Sequence, residues 1–376
     1  MKIKLGELAD IMTGNTPSMK VNEYYDSNDI PFIKPDSFKG HFELEANSFL
    51  SNKAERKARI VGANCILVSC IGIIGKVGIT SQKVAFNQQI NSLNVKSHYD
   101  IEYIAYNLLF NKDRLQRICN SAVVPLINKT QFSNFEISIN KDIIIQRDIK
   151  NKLNLLSSII NNNKKKLLLL DDIVKSRFVE LIYNNKLIYQ KVRLKDCCLI
   201  LSGATPSRKN SDYWDENGIN WFKTTELKNN FLFDSDEKIS KLGYEKTSVK
   251  ILPKHTVLIA MYGQGKTRGM TGYLLNNATT NQACAALISL DTINPKYLWY
   301  TMINSYDRLR NMAKGGTQPN LSVSLIKDFE IILPPIDIQN KFTNYIEQIN
   351  KLKSDVQKSI EETQLLMDSL MQEYFG

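Results

Sequence analysis

The stretch LGELADIMTGNTPS at residues 5–18 decides the fold, because it returns at residues 194–207 as LKDCCLILSGATPS. The two stretches share their first leucine and, at the same spacing, a glycine, a threonine, a proline and a serine. Their starts at residues 5 and 194 are 189 positions apart. Solenoid repeats span only about 20–50 residues, so we interpret the chain as a duplicated domain.

The match continues in the same order along both halves, with the offset changing to 194 and then to 193. Between the matched positions the halves differ freely, which indicates a shared framework with different surfaces. The further matches are Tyr24/Tyr213, Asp26/Asp215, Ile30/Ile219, Lys34/Lys223, Asn87-Gln88/Asn281-Gln282, Asp113-Arg114-Leu115/Asp307-Arg308-Leu309, Pro125/Pro319, Phe135-Glu136-Ile137/Phe329-Glu330-Ile331 and Gln146/Gln339.

The first part of each repeat mixes strand-like and helical patterns. Residues 65–80 and 255–263 are rich in β-branched side chains and contain turn glycines, which is typical of strands. Residues 101–118 and 295–312 have helical periodicity. This mixture predicts an α/β or α+β globular unit.

The second part of each repeat is a long amphipathic helix of about 37 residues, or roughly 55 Å. Its apolar residues alternate in steps of four and three, which is a heptad seam. We expect the two seams to bury each other; the alternative is that each helix packs onto its own globular unit. The seams are Leu153, Leu156, Ile160, Asn163, Leu167, Leu170 and Val174, and Phe342, Ile346, Ile349, Lys353, Val356, Ile360, Thr363, Met367, Leu370 and Tyr374.

These patterns predict globular units at residues 1–145 and 191–338, each followed by a long helix, at 146–190 and 339–376. Lys and Arg total 49 against 38 Asp and Glu, a net charge of +11, and such an excess favours a nucleic-acid partner. None of the six cysteines forms a C-x-x-C pair and there are only three histidines, so neither a zinc site nor a disulfide framework is expected. Because no signal peptide or membrane-spanning run is evident, we expect a cytoplasmic protein with no membrane partner.

Motifs for catalysis are incomplete in both copies. The stretch AMYGQGKT at residues 260–267 has Ala260 where a phosphate-binding loop needs glycine, and the first copy has Val77 where the loop needs Ser or Thr. We interpret both stretches as turns with a basic tip. No Asn/Asp-Pro-Pro-aromatic tetrapeptide of an amino-methyltransferase is present. The chain is therefore expected to hold no catalytic residue and no metal.

What remains is the chemistry of binding. Hydroxyls, amides and cations near predicted turns are the groups that contact phosphates and base edges. For the matched pair Asn87 and Asn281 we favour a structural hydrogen bond at a strand end, because residues that read different bases should differ between the halves. The candidate DNA-binding residues are Thr16, Ser18, Lys20, Lys34, Lys76, Gln88, Gln89, Thr205, Ser207, Arg208, Lys209, Lys223, Gln264, Lys266, Arg268 and Gln318.

In this order and in duplicate, the motifs resemble the specificity (S) subunit of type I restriction–modification enzymes. The resemblance rests on the two Gly-x-Thr-Pro-Ser openings, the Asn-Gln dipeptides and the stretch Phe329–Pro335 that leads to Gln339. It covers essentially the whole chain. One departure is Ile139-Asn140-Lys141 in the first copy, where the family usually has Leu-Pro-Pro.

The resemblance implies two target recognition domains joined by an antiparallel coiled coil of the two long helices. Each domain would read one half of a bipartite, asymmetric double-stranded DNA sequence, and the helices would set the spacer. It also implies two modification (methyltransferase) subunits with S-adenosylmethionine sites, and restriction (endonuclease) subunits that use ATP and Mg²⁺. Those cofactors would belong to the partners and not to this chain.

Three other functions stay open on the sequence alone. A coiled-coil adaptor that binds only protein would account for the helices but not for the charge of +11. An NTPase would use the stretch from Gly263 to Thr267. A reading subunit of a related restriction system outside type I would share the whole layout.

Overall fold

The computed structural model describes residues 1–119, 124–184, 189–263, 265–313 and 320–376. The chain forms two compact units. Unit 1 comprises Met1–Lys166 and Val356–Gly376, and unit 2 comprises Leu167–Asp355. Each unit therefore contains one globular repeat and a segment of each long helix.

Unit 1 begins with the strands and short helices of the first repeat. Its strands are β1 Lys2–Lys4, β2 Ala9–Thr13, β3 Ile30–Ile33, β4 Phe38–Gly40, β5 Glu43–Leu44, β6 Phe49–Leu50, β7 Ile60–Val61, β8 Ile66–Ser69, β9 Val77–Ile79, β10 Val84–Phe86, β11 Ile90–Val95 and β12 Glu136–Ser138. Its helices are α1 Leu5–Leu8, α2 Ile101–Phe110, α3 Lys112–Arg117, α4 Lys129–Asn134 and the start of α5 Ile143–Val179.

Unit 2 contains the second repeat, in which most of the elements recur in the same order. Its strands are β13 Gln190–Arg193, β14 Cys198–Ser202, β15 Trp214–Phe222, β16 Asn230–Leu232, β17 Lys238–Ile239, β18 Val257–Ala260, β19 Thr271–Leu274, β20 Thr279–Thr280, β21 Cys284–Ser289 and β22 Glu330–Leu333. Its helices are α6 Leu194–Cys197, α7 Lys241–Glu245, α8 Pro295–Asn304, α9 Tyr306–Met312, α10 Val323–Lys327 and the start of α11 Ile336–Phe375.

The sheets of the two repeats have equivalent strand orders. The order β2-β11-β8-β9 in unit 1 corresponds to β14-β21-β18-β19-β16 in unit 2, and β6-β3-β10-β7 corresponds to β17-β15-β20. The pairs β3–β10 and β15–β20 are parallel, whereas most neighbours are antiparallel. The first and last strands of each repeat pair, as β1–β12 and β13–β22. The mixed helix and sheet fold predicted from the sequence is confirmed.

The duplicated Asp-Arg-Leu motif holds the last strand of each repeat. Arg114 lies 5.0 Å from the ring centroid of Phe135, and Arg308 lies 4.7 Å from that of Phe329. Arg308 also donates to the carbonyl of Glu330 at 2.9 Å. These matched arginines therefore brace the framework and are not part of the differing surface.

The matched glycines mark a close approach of two backbone segments in each repeat. A Cβ atom built on Gly14 would overlap the carbonyl oxygens of Phe86 and Asn87. One built on Gly203 would overlap the carbonyl oxygens of Thr280 and Asn281. Only glycine allows the backbone so near, and this explains why both copies carry it.

The long helices begin three residues earlier than predicted, at Ile143 and Ile336. The carboxylate of Asp142 accepts the N–H of Ile144 at 2.8 Å, which caps the first turn of α5. Helix α5 ends at Val179, and a π-helical turn continues to Asn184. The predicted helical end at residue 190 is instead the first residue of β13.

The two helices pair in an antiparallel manner within each unit. In unit 1, Asn163 donates to the hydroxyl of Ser359 at 3.1 Å. In unit 2, Lys353 forms an ion pair with Asp171, and Phe178 packs on Phe342 at 5.3 Å between ring centroids. Rising numbers in α5 thus meet falling numbers in α11. The predicted seam is confirmed, and its polar residues Asn163 and Lys353 have partners.

The helices also pack onto the globular repeats, so the two arrangements considered from the sequence occur together. In unit 1, Phe375 contacts Tyr103 of α2, with 5.2 Å between ring centroids. In unit 2, Phe178 lies 6.3 Å from Tyr297 of α8. Because the same helix segments contribute to a repeat and to the helix pair, the helices do not form domains of their own.

A buried glutamine joins each long helix to its repeat. Gln146 accepts the N–H of Asp100 at 2.8 Å and donates to the carbonyl of Asn140 at 2.7 Å. Gln339 accepts the N–H of Asn294 at 2.8 Å in the same way. Both glutamines are fully buried, at 0% exposure, so these bonds fix the start of α5 and α11 against α2 and α8.

Among the described residues, no helix is apolar over enough of its length to cross a membrane.

The variant Gly14→Ala is expected to destabilise unit 1 by about 3 kcal/mol, because overpacking forces the backbone apart. For a unit of this size, that lowers the thermal unfolding midpoint by roughly 6–12 °C. Gly62→Ala is the control, since nothing lies within 4 Å of a Cβ at Gly62. Equal midpoints for the two variants in differential scanning calorimetry would contradict the close approach.

The variant Gln339→Leu is expected to destabilise the junction of α11 and α8. It leaves the N–H of Asn294 and the carbonyls of Thr292 and Pro334 without partners, at a cost of about 1–3 kcal/mol for each buried group. Hydrogen exchange should show the Asn294 amide losing protection. Gln348→Leu, an exposed site on the same helix, should leave it unchanged, and equal protection in both variants would disprove the role of Gln339.

Candidate nucleic-acid interface

In each repeat the Gly-x-Thr-Pro-Ser loop and the Asn-Gln turn form a single cluster. The N–H of Asn15 donates to the carbonyl of Phe86 at 3.0 Å, and the hydroxyl of Thr16 donates to the amide oxygen of Gln88 at 2.6 Å. In the second repeat Thr205 bonds Gln282 in the same way. Two motifs that are about 70 residues apart in sequence are thus neighbours in space.

Asn87 and Asn281 hold this cluster from within. The amide oxygen of Asn87 accepts the N–H of Gln89 at 3.1 Å, and that of Asn281 accepts the N–H of Ala283 at 3.1 Å. The N–H of Asn87 donates to the carbonyl of Ile33 at 3.1 Å, at the end of β3. The structural hydrogen bond expected for this asparagine pair is confirmed.

Two further loops join the cluster. The N–H of Cys70 donates to the carbonyl of Gln89 at 2.7 Å, and the ammonium of Lys76 donates to the carbonyl of Pro35 at 2.7 Å. In the second repeat the N–H of Met261 donates to the carbonyl of Ala283 at 2.8 Å. We call these loop clusters the first loop face (residues 14–20, 34–37, 70–76 and 87–89) and the second loop face (residues 203–209, 223–226, 261–263, 265–270 and 281–283).

The structure brings the described candidate residues together on these two faces. Gln264 and Gln318 lie outside the described residues, and so carry no structural account. Exposed on the faces are Thr16, Ser18, Lys20, Gln88, Thr205, Ser207, Arg208, Lys209 and Lys266, and half-buried are Lys34, Lys76, Gln89, Lys223 and Arg268.

The cations of the faces differ in how far they are engaged within the protein. Lys76 bonds Pro35, and Lys223 forms an ion pair with Glu237 at 2.8 Å. In the described part of the chain no ion pair involves Lys20, Lys209 or Lys266. The ammonium groups of Lys20, Lys209 and Lys266 are therefore available to bind phosphate.

The stretch that resembles a phosphate-binding loop is the turn of a β-hairpin. It joins the antiparallel strands β18 and β19, whereas a phosphate-binding loop joins a strand to a helix. Gly263, Gly265 and Gly269 have φ of +145°, +59° and +87°, which only glycine adopts readily. The carbonyl of Lys266 is held by the hydroxyl of Tyr306 at 2.7 Å. The expected turn with a basic tip is confirmed.

Sequence reasoning missed the side chains that surround Arg208. Its guanidinium lies 4.0 Å from the ring centroid of Trp214 and 5.1 Å from that of Trp221. It also pairs with the carboxylate of Glu237 at 2.5 Å. Lys223 and then Arg208 hold the pKa of Glu237 below its usual value. The signal available was the pair of tryptophans shortly after Arg208, which the first repeat lacks.

Three buried thiols are held in their protonated form by the apolar surroundings. Burial raises the pKa of Cys65 to about 11, and of Cys70 and Cys284 to about 12. A thiol with such a pKa is protonated and inert at neutral pH. Across the described residues, no three His, Cys, Asp or Glu side chains are grouped so as to hold a metal ion.

Comparison with known proteins identifies relatives of this architecture. The sequence profile of the type I restriction modification DNA specificity domain matches residues 1–170 and again 188–363. The specificity subunit of the type I restriction enzyme MjaIX from Methanocaldococcus jannaschii is 26% identical over 191 residues, which are 49% of this chain and 43% of that protein. That of HindI from Haemophilus influenzae is 32% identical over 139 residues, 35% of this chain and 30% of that protein. The aligned segments thus span less than half of these curated relatives.

Solved structures share the fold at low sequence identity. The S subunit of a type I restriction–modification system from M. genitalium has a TM-score of 0.59 at 13% identity, covering 100% of this chain and 96% of that one. A chain from work on complex assembly and conformational transition of the type I R-M system has a TM-score of 0.69 at 13% identity, covering 100% and 97%. With its profile matched twice over most of its length, the chain belongs to the type I restriction modification DNA specificity domain family.

Proposed function

We propose that this chain is the DNA sequence-reading subunit of a type I restriction–modification complex and carries no catalytic site of its own. The observation that carries the proposal is the pair of loop faces, which share one framework but carry different side chains at positions such as Met19/Arg208 and Gln89/Ala283. A duplicated reader of this kind suits a target whose two halves differ in sequence. Each repeat would read one half of a bipartite, asymmetric DNA site.

The loop faces offer the two kinds of contact that DNA recognition needs. Open cations such as Lys20, Lys209 and Lys266 would neutralise phosphates and give affinity that falls with salt. Amide and guanidinium side chains at positions that differ between the repeats, such as Gln89 and Arg208, can pair with base edges in the major groove. The side chains of Asn87 and Asn281 are hydrogen-bonded within the framework. We therefore assign base reading to the neighbouring residues that differ between the two repeats.

The partners proposed for this chain are two modification (methyltransferase) subunits and the restriction (endonuclease) subunits. S-adenosylmethionine would be bound by the former, and ATP with Mg²⁺ by the latter. A duplicated chain offers two equivalent docking surfaces to two identical partners. The long helices would set the length of the DNA spacer, since each is one continuous helix of 37 or 40 residues.

The docking surfaces are proposed to be leucine-rich patches outside the helix seam. Long helices with polar surroundings do not leave large apolar side chains in solvent without a reason, and clusters of them mark interaction sites. The patch of unit 1 is Leu155, Ile159, Leu365 and Leu366, and the patch of unit 2 is Leu168, Leu169, Ile173 and Leu352, all of them exposed.

Methylation mapping tests the reading role. A base-resolution map of methylated adenine is compared between the source strain and the same strain without this gene. We expect one split, asymmetric motif to lose methylation and to regain it when the gene is restored. Unchanged methylation of every motif, in cells where the chain co-purifies with a methyltransferase, would refute the proposal.

Charge substitution tests the docking patches. The double variant Leu155→Glu/Leu365→Glu should bind one modification subunit in place of two, and adding Leu169→Glu/Leu352→Glu should abolish binding, because buried carboxylates without partners are costly. Native mass spectrometry gives the stoichiometry. Leu290→Glu, at an exposed leucine of a globular repeat, is the control. Two bound subunits in every variant would exclude these patches.

A further inference from the structure

The Thr-Pro-Ser loops end in equivalent turns that carry different side chains. In the first repeat the carbonyl of Ser18 accepts the N–H of Val21 at 3.1 Å, and in the second the carbonyl of Ser207 accepts the N–H of Asn210 at 3.3 Å. The first central position of this turn is Met19 in one repeat and Arg208 in the other. The second central position is a lysine in both.

Arg208 is held in one orientation by groups that the first repeat lacks. Its guanidinium stacks on Trp214 at 4.0 Å and pairs with Glu237 at 2.5 Å. The indole N–H of Trp221 donates to the carbonyl of Ala204 at 2.9 Å, which braces the loop itself. In the first repeat Met19 is 78% exposed, and Phe32 stands where Trp221 stands in the second.

Glu237 serves two cations at once. One carboxylate oxygen pairs with Arg208 and the other with Lys223 at 2.8 Å. Lys223 is mostly covered, with 25% of its side chain exposed, whereas 54% of the Arg208 side chain is exposed. Of the two cations that share Glu237, Arg208 is therefore the more accessible to a ligand.

This arrangement suits a base edge better than a phosphate. A carboxylate partner weakens the long-range attraction of a cation for phosphate, but together with the two indole rings it restricts the position of the guanidinium. Arginine has five N–H donors, so the contact with Glu237 leaves a donor edge free. A fixed planar fork matches the O6 and N7 acceptors of guanine, which is the commonest specific contact of arginine with DNA.

We propose that Arg208 reads a guanine in the half-site bound by the second repeat, with Glu237 and Trp214 as positioning residues. The inference rests on the proposed DNA-reading function and assigns one base to one side chain. Met19 has no hydrogen-bond donor in its side chain, so the first repeat makes no guanine contact from this position.

The test is selection of DNA from a library in which both half-sites are randomised, using the full chain co-purified with its modification subunits. The wild type should select a split motif with guanine at one position of one half. Arg208→Met, which introduces the residue found at the equivalent turn, should lower affinity for the guanine-containing site about 5- to 150-fold and remove the preference at that position alone.

Two further variants separate base reading from a structural or phosphate role. Arg208→Lys keeps the charge and the stem but not the planar fork, and should weaken the guanine preference while affinity for random DNA stays as in the wild type. Glu237→Gln should weaken the preference while affinity for random DNA stays equal or rises, because a negative charge is removed. Both variants should assemble with the modification subunits as the wild type does.

The outcomes distinguish failure of the proposed function from failure of the guanine assignment. If the wild-type complex selects no split motif, the proposed function fails and this inference falls with it. If it selects one and Arg208→Met retains every base preference, Arg208 does not read a base. If Arg208→Met binds all sequences more weakly by the same factor and Arg208→Lys binds them as the wild type does, Arg208 contacts phosphate, and the guanine assignment is wrong.

Discussion

The close approach of two backbone segments at a glycine is the constraint on which each repeat depends. Where Gly14 and Gly203 pass the carbonyls of residues 86–87 and 280–281, no Cβ has room. That approach allows the neighbouring threonine to reach the glutamine of the Asn-Gln turn, and the asparagine to hold the loops around it. The scaffold consists of backbone contacts and a few matched side chains, so the unmatched side chains that project from it are free to change.

Much of this framework could be predicted from the sequence, and the reason is physical. A heptad seam depends only on spacing within one helix, so Leu153 and Ile346 were assigned correctly. A motif present in both repeats indicates that the same structural requirement holds in each. The ends of the helices were less accurate, because the cap at Asp142 depends on local side-chain geometry. The environment of Arg208 was missed because Glu237 lies 29 positions further along the chain and has no counterpart in the first repeat to mark it.

The residues that match between the repeats have different roles from those that do not. Arg114, Arg308, Gln146 and Gln339 are all duplicated, and each is engaged with the backbone of its own repeat. Positive charge at the loops is not duplicated in the same way, since Met19 stands opposite Arg208. In a molecule with two copies of one framework, the unmatched positions are therefore the place to look for recognition of two different half-sites.

Unit 1 is formed by two segments that are far apart in the chain, and this affects folding during synthesis. Tyr103 packs on Phe375, so the first repeat awaits a segment made about 200 residues after Lys166. At about 5–20 residues per second, a ribosome needs roughly 10–40 s to supply it. For that time the apolar seam of α5 lies without its partner helix. The nascent chain is thus most vulnerable to aggregation, or to pairing with another nascent chain, midway through translation. At that stage no residue of α11 has left the ribosome.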